Sequence, residues 1–563
     1  MEEEVVWGLD GIGDVDTEIK GGESIETMSL DRARNLLGQF DIILSSCEEE
    51  SDRDGFYKEG GREPPAEERA KEARLQKVDI GSPGSTYNQV VSRLEQIAKS
   101  PRDHREVEWR GKRAMYDVTS EVDNHEAQVN RTRGVYQKKE LEIAGKILEI
   151  GSASSLLSTD KSALTREAIF TAFRTELDDI ESSLHRQVAH HTKAVPTVAP
   201  DFNNFQEAYT HFCESGTPEE IEQMFRRVIS DTDDIYNGLI SELISDKEIK
   251  PWDLSFLMNT LDPFSSLPVP EDPFELFNDG LNFLKLLGYP EEVVDSLYNP
   301  NLPGVELDIE DRPGKSPGAM TFSLGPLSVG KNMLYYGPAY FRGRPGSRHG
   351  VFPHELGHGI HFHGNRLAAL KDGAIFFFET TPGSEVGSMT TEDLSYKIAH
   401  LASRYDIPKS NQQKFAKWKL LKDIHQFRGI ARVTLTEFAM HTQGVDTARE
   451  SAYEATKLTS PKNVKTLGPS SSYVTTPHLY GVEGYYFSYG IAQLLTMAVI
   501  NHIDENMSGS ICPEVGPWML EHIMKGNRIP IRDRIKEATG QTDLVESAVS
   551  LFRRQYEQVQ RTS

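Results

Sequence analysis

The chain has 563 residues and a formal charge of −25, which leaves room for two lobes or one large helical body with an enclosed cleft. Its acidity argues against a nucleic-acid partner, an anionic-membrane partner or a polybasic surface. Cys47, Cys213 and Cys512 are too few and too far apart to define a disulfide framework or a Cys-rich metal site, a pattern that fits a reducing, intracellular compartment.

The sequence opens Met1-Glu2-Glu3-Glu4, the reverse of a signal peptide's positive start, and contains no uninterrupted apolar run long enough to span a bilayer. A soluble, cytoplasmic protein is expected. Residues 1–60 carry 17 Asp/Glu against 5 Lys/Arg, a local charge of −12, so 1–75 reads as an acidic extension that is in part mobile. A helical N-terminal lobe is expected over 76–300 and a catalytic region over 301–563.

From about residue 85 to 248 the apolar residues recur mostly at helical spacing, for example Val90, Val91, Leu94 and Ile97, then Ile221, Met224, Phe225 and Val228. Gln137–Ile150 and Arg166–His191 read as further helices. The latter ends in His190-His191, but adjacent helical residues point roughly 100° apart, so a structural or solvent-facing role is expected of both. From Leu261 to Gly350, Pro and Gly punctuate short apolar runs, which predicts loops and a small β-sheet. Gly314-Lys315-Ser316 copies the tail of a phosphate loop, but the motif's first glycine would fall on Ile309 and Pro317 would interrupt the helix that should follow. A nucleotide site is therefore rejected.

The next feature is His354-Glu355-Leu356-Gly357-His358. On a helix its two imidazoles project from nearly the same face one turn apart, so both can reach one metal ion. Glu355 stands about a quarter-turn aside, placed to take a proton from a water the metal activates and pass it to a leaving amine. A surface helix with satisfied histidines would share the pattern, so further ligands must decide. A third histidine six residues after His358 is excluded, since that position is Gly364. The near carboxylates are Glu379, Glu385 and Glu392, and spacing does not separate the first two. Thr381-Pro382-Gly383-Ser384 breaks the chain, which puts Glu385 on the opening turn of a new helix capped near Gly383 or Ser384, with Glu392 on the same face. His361 would close the position needed by water if it were a fourth ligand, so packing or substrate-side lining is expected of it.

After His354 the chain returns to helices, ending with the runs Tyr485–His502 and Ile531–Gln558. Amide hydrolysis needs donors aimed at the developing oxyanion, and His478, Tyr480, Tyr485, Tyr486 and Tyr489 supply candidates. The same tyrosines could equally form an aromatic core patch.

These residues resemble the thimet oligopeptidase and oligoendopeptidase F family of zinc peptidases. The resemblance rests on His354 to His358 with His361, on Glu385-Val386-Gly387-Ser388 with Glu392, on Arg312-Pro313-Gly314-Lys315-Ser316-Pro317-Gly318-Ala319, on Trp252-Asp253, on Pro477-His478-Leu479-Tyr480 and Tyr485 to Tyr489, and on Leu520 to Gly526. It covers roughly 250–563 by motif and 85–250 in texture. Gly387 stands where a bulkier residue is usual, the loop before Glu385 is rearranged, and the acidic first 75 residues have no counterpart. The resemblance implies a mainly α, zincin-type metallopeptidase, two-lobed around a deep channel, with a small sheet near the zinc helix. It implies one Zn2+ held by His354, His358 and Glu385, with Glu355 as general base and His478, Tyr486 and Tyr489 at the oxyanion. The expected activity is cleavage of internal bonds in short unstructured peptides. Two rivals stand beside it: a metallocarboxypeptidase or dipeptidase, which would need a cation such as Arg312, Lys315 or Arg342 for a terminal carboxylate, and a non-catalytic peptide-binding protein that retains the fold.

Overall fold

The computed structural model describes residues 86–561, apart from 99–100, 121–124, 144, 245, 298–305, 311–317, 324–331, 338–340, 342–343, 373–378 and 482, together with part of 29–40. Most of the acidic stretch 1–75 lies outside the described residues, as do Arg312 to Pro317 and Arg342. Within 29–40, Ala33, Leu36, Leu37 and Phe40 are buried.

The chain is mainly helical, and the expected amphipathic helices form where apolar spacing and caps agree. Pro218–Asp231 starts at a capping box between Thr217 and Glu220, carries Pro218 in its first turn and buries Ile221, Phe225 and Val228. Three predicted runs are divided or replaced. Gln137–Ile150 is not a helix: Glu140–Ile143 (β1) and Lys146–Glu149 (β2) pair antiparallel around Gly145, whose φ of +78° suits a tight turn. Leu141 and Ile143 alternate inward as a strand requires. The Arg166–His191 run divides into Ala163–Thr175 and Asp178–Val198. Ile531–Gln558 divides into Ile531–Thr539 and Leu544–Arg561, stopped by Gly540 in the left-handed conformation. The region read as loops and sheet also holds the helix Pro273–Leu286, capped by Asp272.

The small sheet is present. Glu306–Asp308 (β3), Gly318–Ser323 (β4) and Asn332–Gly337 (β5) lie in the order β3-β5-β4, with β3 parallel and β4 antiparallel to β5. β4 is an edge strand beside the motif helix Pro345–Asp372, and its Thr321 hydroxyl donates to the Glu355 carbonyl at 3.0 Å. The longest element, Lys409–Thr442, spans about 50 Å at 1.5 Å per residue. It feeds both apolar cores: Phe415, Trp418 and Phe427 enter the larger one, while Val433 and Met440 join Leu141, Ile169 and Leu184 in the smaller. Phe487–Asn506 is buried on nearly every face. Among the described residues, no helix is long and apolar enough to cross a membrane.

Candidate metal and peptide-binding site

The motif helix places the His354 and His358 rings 5.0 Å apart between centroids and nearly perpendicular. Facing them is the helix Thr381–Ser395. It begins at Thr381 rather than at a break near Ser384, because Pro382 falls in the first turn, where its missing N–H is not needed. Glu385 is consequently the fifth helical residue. Its Oε2 lies 3.7 Å from His354 Nε2 and 3.6 Å from His358 Nε2. Two ligand atoms on a tetrahedral zinc ion, each about 2 Å from the metal, stand about 3.4 Å apart, and both carboxylate–imidazole separations are close to that value. Among the described residues, His354, His358 and Glu385 are the group of three whose ligand atoms converge, all within 4.8 Å of one another.

Two glycines allow this approach of helix to helix. A Cβ on Gly357 would lie 2.7 Å from the Ser388 Cα, and one on Gly387 would lie 2.7 Å from the His361 Nδ1. The glycine at 387, a departure from the resembled pattern, thus makes room for the wholly buried His361 ring. That ring sits 3.7 Å from Glu379, which is held by Arg534. Glu379 is in this way committed to a buried ion pair away from the two candidate ligands.

Acidic neighbours favour positive charge at this cage. Burial works against charge on His354, but the Glu392 hydrogen bond at 3.1 Å and the charges of Glu355, Glu392 and Glu385 outweigh it and raise the imidazole to about 9. A proton there stands in for positive charge that a metal would bring. Glu392, despite its burial, is drawn down to about 2 by Lys422 and His354. Burial raises Glu355 to about 7, against the opposing pull of His354.

No family model matches this sequence, and no curated protein matches it. The fold is shared with a crystal structure of a putative peptidase from Chlamydophila abortus. That similarity covers 96% of this chain and 92% of the other, with a TM-score of 0.61 and 11% sequence identity.

The aromatic candidates gather beside the carboxylates. The His478 ring lies 5.2 Å from Tyr486 and 5.8 Å from Tyr489, and Tyr486 lies 5.7 Å from Tyr489. Burial, then the charge of Glu385, raises the Tyr489 phenol, which keeps it a proton donor. Tyr485, grouped in the sequence with a possible aromatic core patch, donates to Glu385 Oε1 at 3.3 Å. Its spacing carried no sign of that bond. Tyr480 is buried in the smaller core instead.

A buried polar cluster holds the turn ahead of these tyrosines. The Gly484 N–H donates to Glu437 Oε1 at 2.7 Å, and Glu483 lies 3.4 Å from both His191 and His441 while accepting from Gln187 at 3.1 Å. His191 therefore has the structural place expected of it. His349 is also held by the protein, bonded to Tyr405 and the Ser395 carbonyl. Trp252-Asp253 ties two helices together, with Asp253 receiving Arg166 at 2.6 Å. The Leu520 to Gly526 segment packs on the motif helix, where the Gly526 N–H donates to Asn365 at 2.8 Å.

Proposed function

We propose that this chain is a zinc-dependent oligopeptidase that hydrolyses internal bonds of short, unstructured peptides. The observation that carries the reading is the convergence of His354, His358 and Glu385 with Glu355 beside them and the edge of β4 alongside. Zinc held by those three residues would supply Lewis acidity at the substrate carbonyl and the attacking water.

Glu355 takes the proton of that water and returns it to the leaving nitrogen, a task suited to a carboxylate one residue from the first ligand. Tyr489, Tyr486 and His478 donate toward the oxyanion as it develops. The edge of β4, unpaired among the described residues, holds the substrate backbone extended, which recognises peptides with little regard for side chains. Confinement in a channel between lobes would admit flexible oligopeptides and exclude folded proteins. A cytoplasmic site of action fits the buried free thiols of Cys213 and Cys512.

The test compares wild type with Glu355→Gln at equal bound zinc on quenched fluorescent peptides of increasing length. The expected result is loss of turnover by at least 100-fold in the variant. Unchanged turnover, or efficient cleavage of a folded protein at buried sites, would sink the reading.

A further inference from the structure

A cavity of about 330 Å³ lies against the long helix Lys409–Thr442, on the side of the tyrosine turn, and reaches Leu479 next to His478. Its lining includes Arg174, Arg428, Arg432 and Lys465, and among the described residues that line it there is no Asp or Glu. In a chain with 86 acidic and 61 basic residues, a wall with four cations and no carboxylate selects for an anionic occupant.

Two of the four cations are engaged by the protein. Arg428 lies over the Tyr236 ring and donates to the Ile229 carbonyl and Asp233, and Arg174 donates to the Gly468 carbonyl. Arg432 is different. It lines this cavity, and it is the exposed position on a stretch of helix whose other residues from Ile430 to His441 are buried. Crowding by the surrounding protein disfavours its charge, and the groups that act back on it are the phenols of Tyr486 and Tyr236, not a carboxylate. Its guanidinium makes no hydrogen bond or ion pair with any described residue. A guanidinium that lines a cavity without a partner among the described residues is free to take an anion, and its planar fork matches a carboxylate.

The place of Arg432 links this cavity to the candidate site. The cavity wall at Leu479 adjoins His478, whose ring meets those of Tyr486 and Tyr489, and Tyr489 meets Tyr485, which reaches Glu385; the Tyr486 phenol in turn acts on Arg432. An extended peptide advances about 3.3–3.6 Å per residue, so a few residues span this row of rings.

We propose that Arg432 binds a carboxylate of the peptide substrate, a few residues from the bond that is cut, and so fixes where along a short peptide cleavage falls. This rests on the peptidase reading for the identity of the ligand. The carboxylate can come from the peptide's C-terminus or from an acidic side chain, and both present the same chemistry to the guanidinium.

The test measures binding, by fluorescence anisotropy, to the full-length Glu355→Gln chain. One peptide sequence is used in three forms: free C-terminus, C-terminal amide, and amide with glutamate as the last residue. The free form is expected to bind at least ten-fold tighter than the plain amide, and adding Arg432→Gln should bring all three to the level of the amide. Arg432→Lys should keep part of the preference, which a misfolded protein would not. Tight binding of the glutamate amide as well would make any nearby carboxylate sufficient; weak binding of it would assign the C-terminus. Equal binding of all three forms, a preference that survives Arg432→Gln, or binding of none of them would overturn the proposal. Wild-type turnover of the same peptides separates the two ideas: a carboxylate preference without any cleavage defeats the peptidase reading alone, and cleavage without the preference defeats this one alone.

Discussion

Tyr485 and Glu385 share a hydrogen bond of 3.3 Å at the carboxylate oxygen that faces away from the imidazoles. The other oxygen, Oε2, is the one turned toward His354 and His358. The phenol therefore fixes which way the carboxylate points, with Ser388 assisting at 3.3 Å on the Oε2 side.

Tyr485→Phe should keep the fold and weaken zinc binding by about 10-fold, the lower end of what outer partners of metal ligands contribute. A chelator competition measured on both proteins checks this. Identical zinc affinity would mean that the phenol does not orient the ligand.

Glu385→Ala and Glu379→Ala should separate cleanly. The first removes one of three converging ligands, so zinc should be lost on dialysis while the apo fold stays intact. The second leaves Arg534 buried without its carboxylate and should cost about 3–5 kcal/mol of stability, with zinc still bound by the folded fraction. Metal content and thermal melting on the same samples distinguish the two, and metal loss from Glu379→Ala would reverse the assignment.

Gly357→Ala changes no side chain with polar chemistry, yet its new methyl would meet backbone of the facing helix at 2.7 Å. Forcing the helices apart should cost about 1–3 kcal/mol and lower zinc affinity as Glu385 draws back. Full stability with full affinity would show that the helices can separate freely at this point.

Glu437 gives the pH prediction. Burial, with the charge of Glu483 adding and the Gly484 N–H opposing, raises its carboxyl to about 8. The unfolded chain releases this proton near the ordinary carboxyl value of 4.5, so between those values the folded protein holds a proton that the unfolded one has lost. The contribution of this group is therefore most favourable below pH 4.5 and falls as pH rises through about 8. Glu437→Gln keeps the carbonyl acceptor for Gly484 and should remove that slope. Melting temperatures of both proteins from pH 5 to 9 should converge at the acid end and diverge at the alkaline end, and parallel curves would refute the shift.

The parts of the site legible in the sequence are those set by local geometry. His354 and His358 needed only a helix, and the helix of Glu385 needed only a Pro-Gly interruption and a restart, although the restart came earlier than Ser384 because Pro382 fits a first turn; the choice of Glu385 over Glu379 as ligand leaned on the family resemblance. Tyr485, Glu437 and Arg432 were not legible in the same way. Each acquires its role from a partner or a space brought close by folding, across 100 residues for Tyr485 and Glu385 and 47 for Gly484 and Glu437. Arg432 in a helical sequence looks like any residue of a solvated face. The Gln137–Ile150 misreading has a simpler cause: Leu141, Ile143, Ile147, Leu148 and Ile150 satisfy two periods at once, and the positive φ of Gly145 decides between them.

The motif helix is gripped through glycine on more than one side, since a Cβ on Gly364 would lie 2.1 Å from the Met524 carbonyl oxygen just as one on Gly357 would strike the facing helix. Anyone ranking positions by their intolerance to replacement would thus find Gly357 and Gly364 alongside His354 and Glu355, though neither glycine touches a reacting atom. A mutational scan of this helix would map two superimposed demands, one chemical and one of clearance, and only a readout that counts metal and folded protein separately would tell them apart.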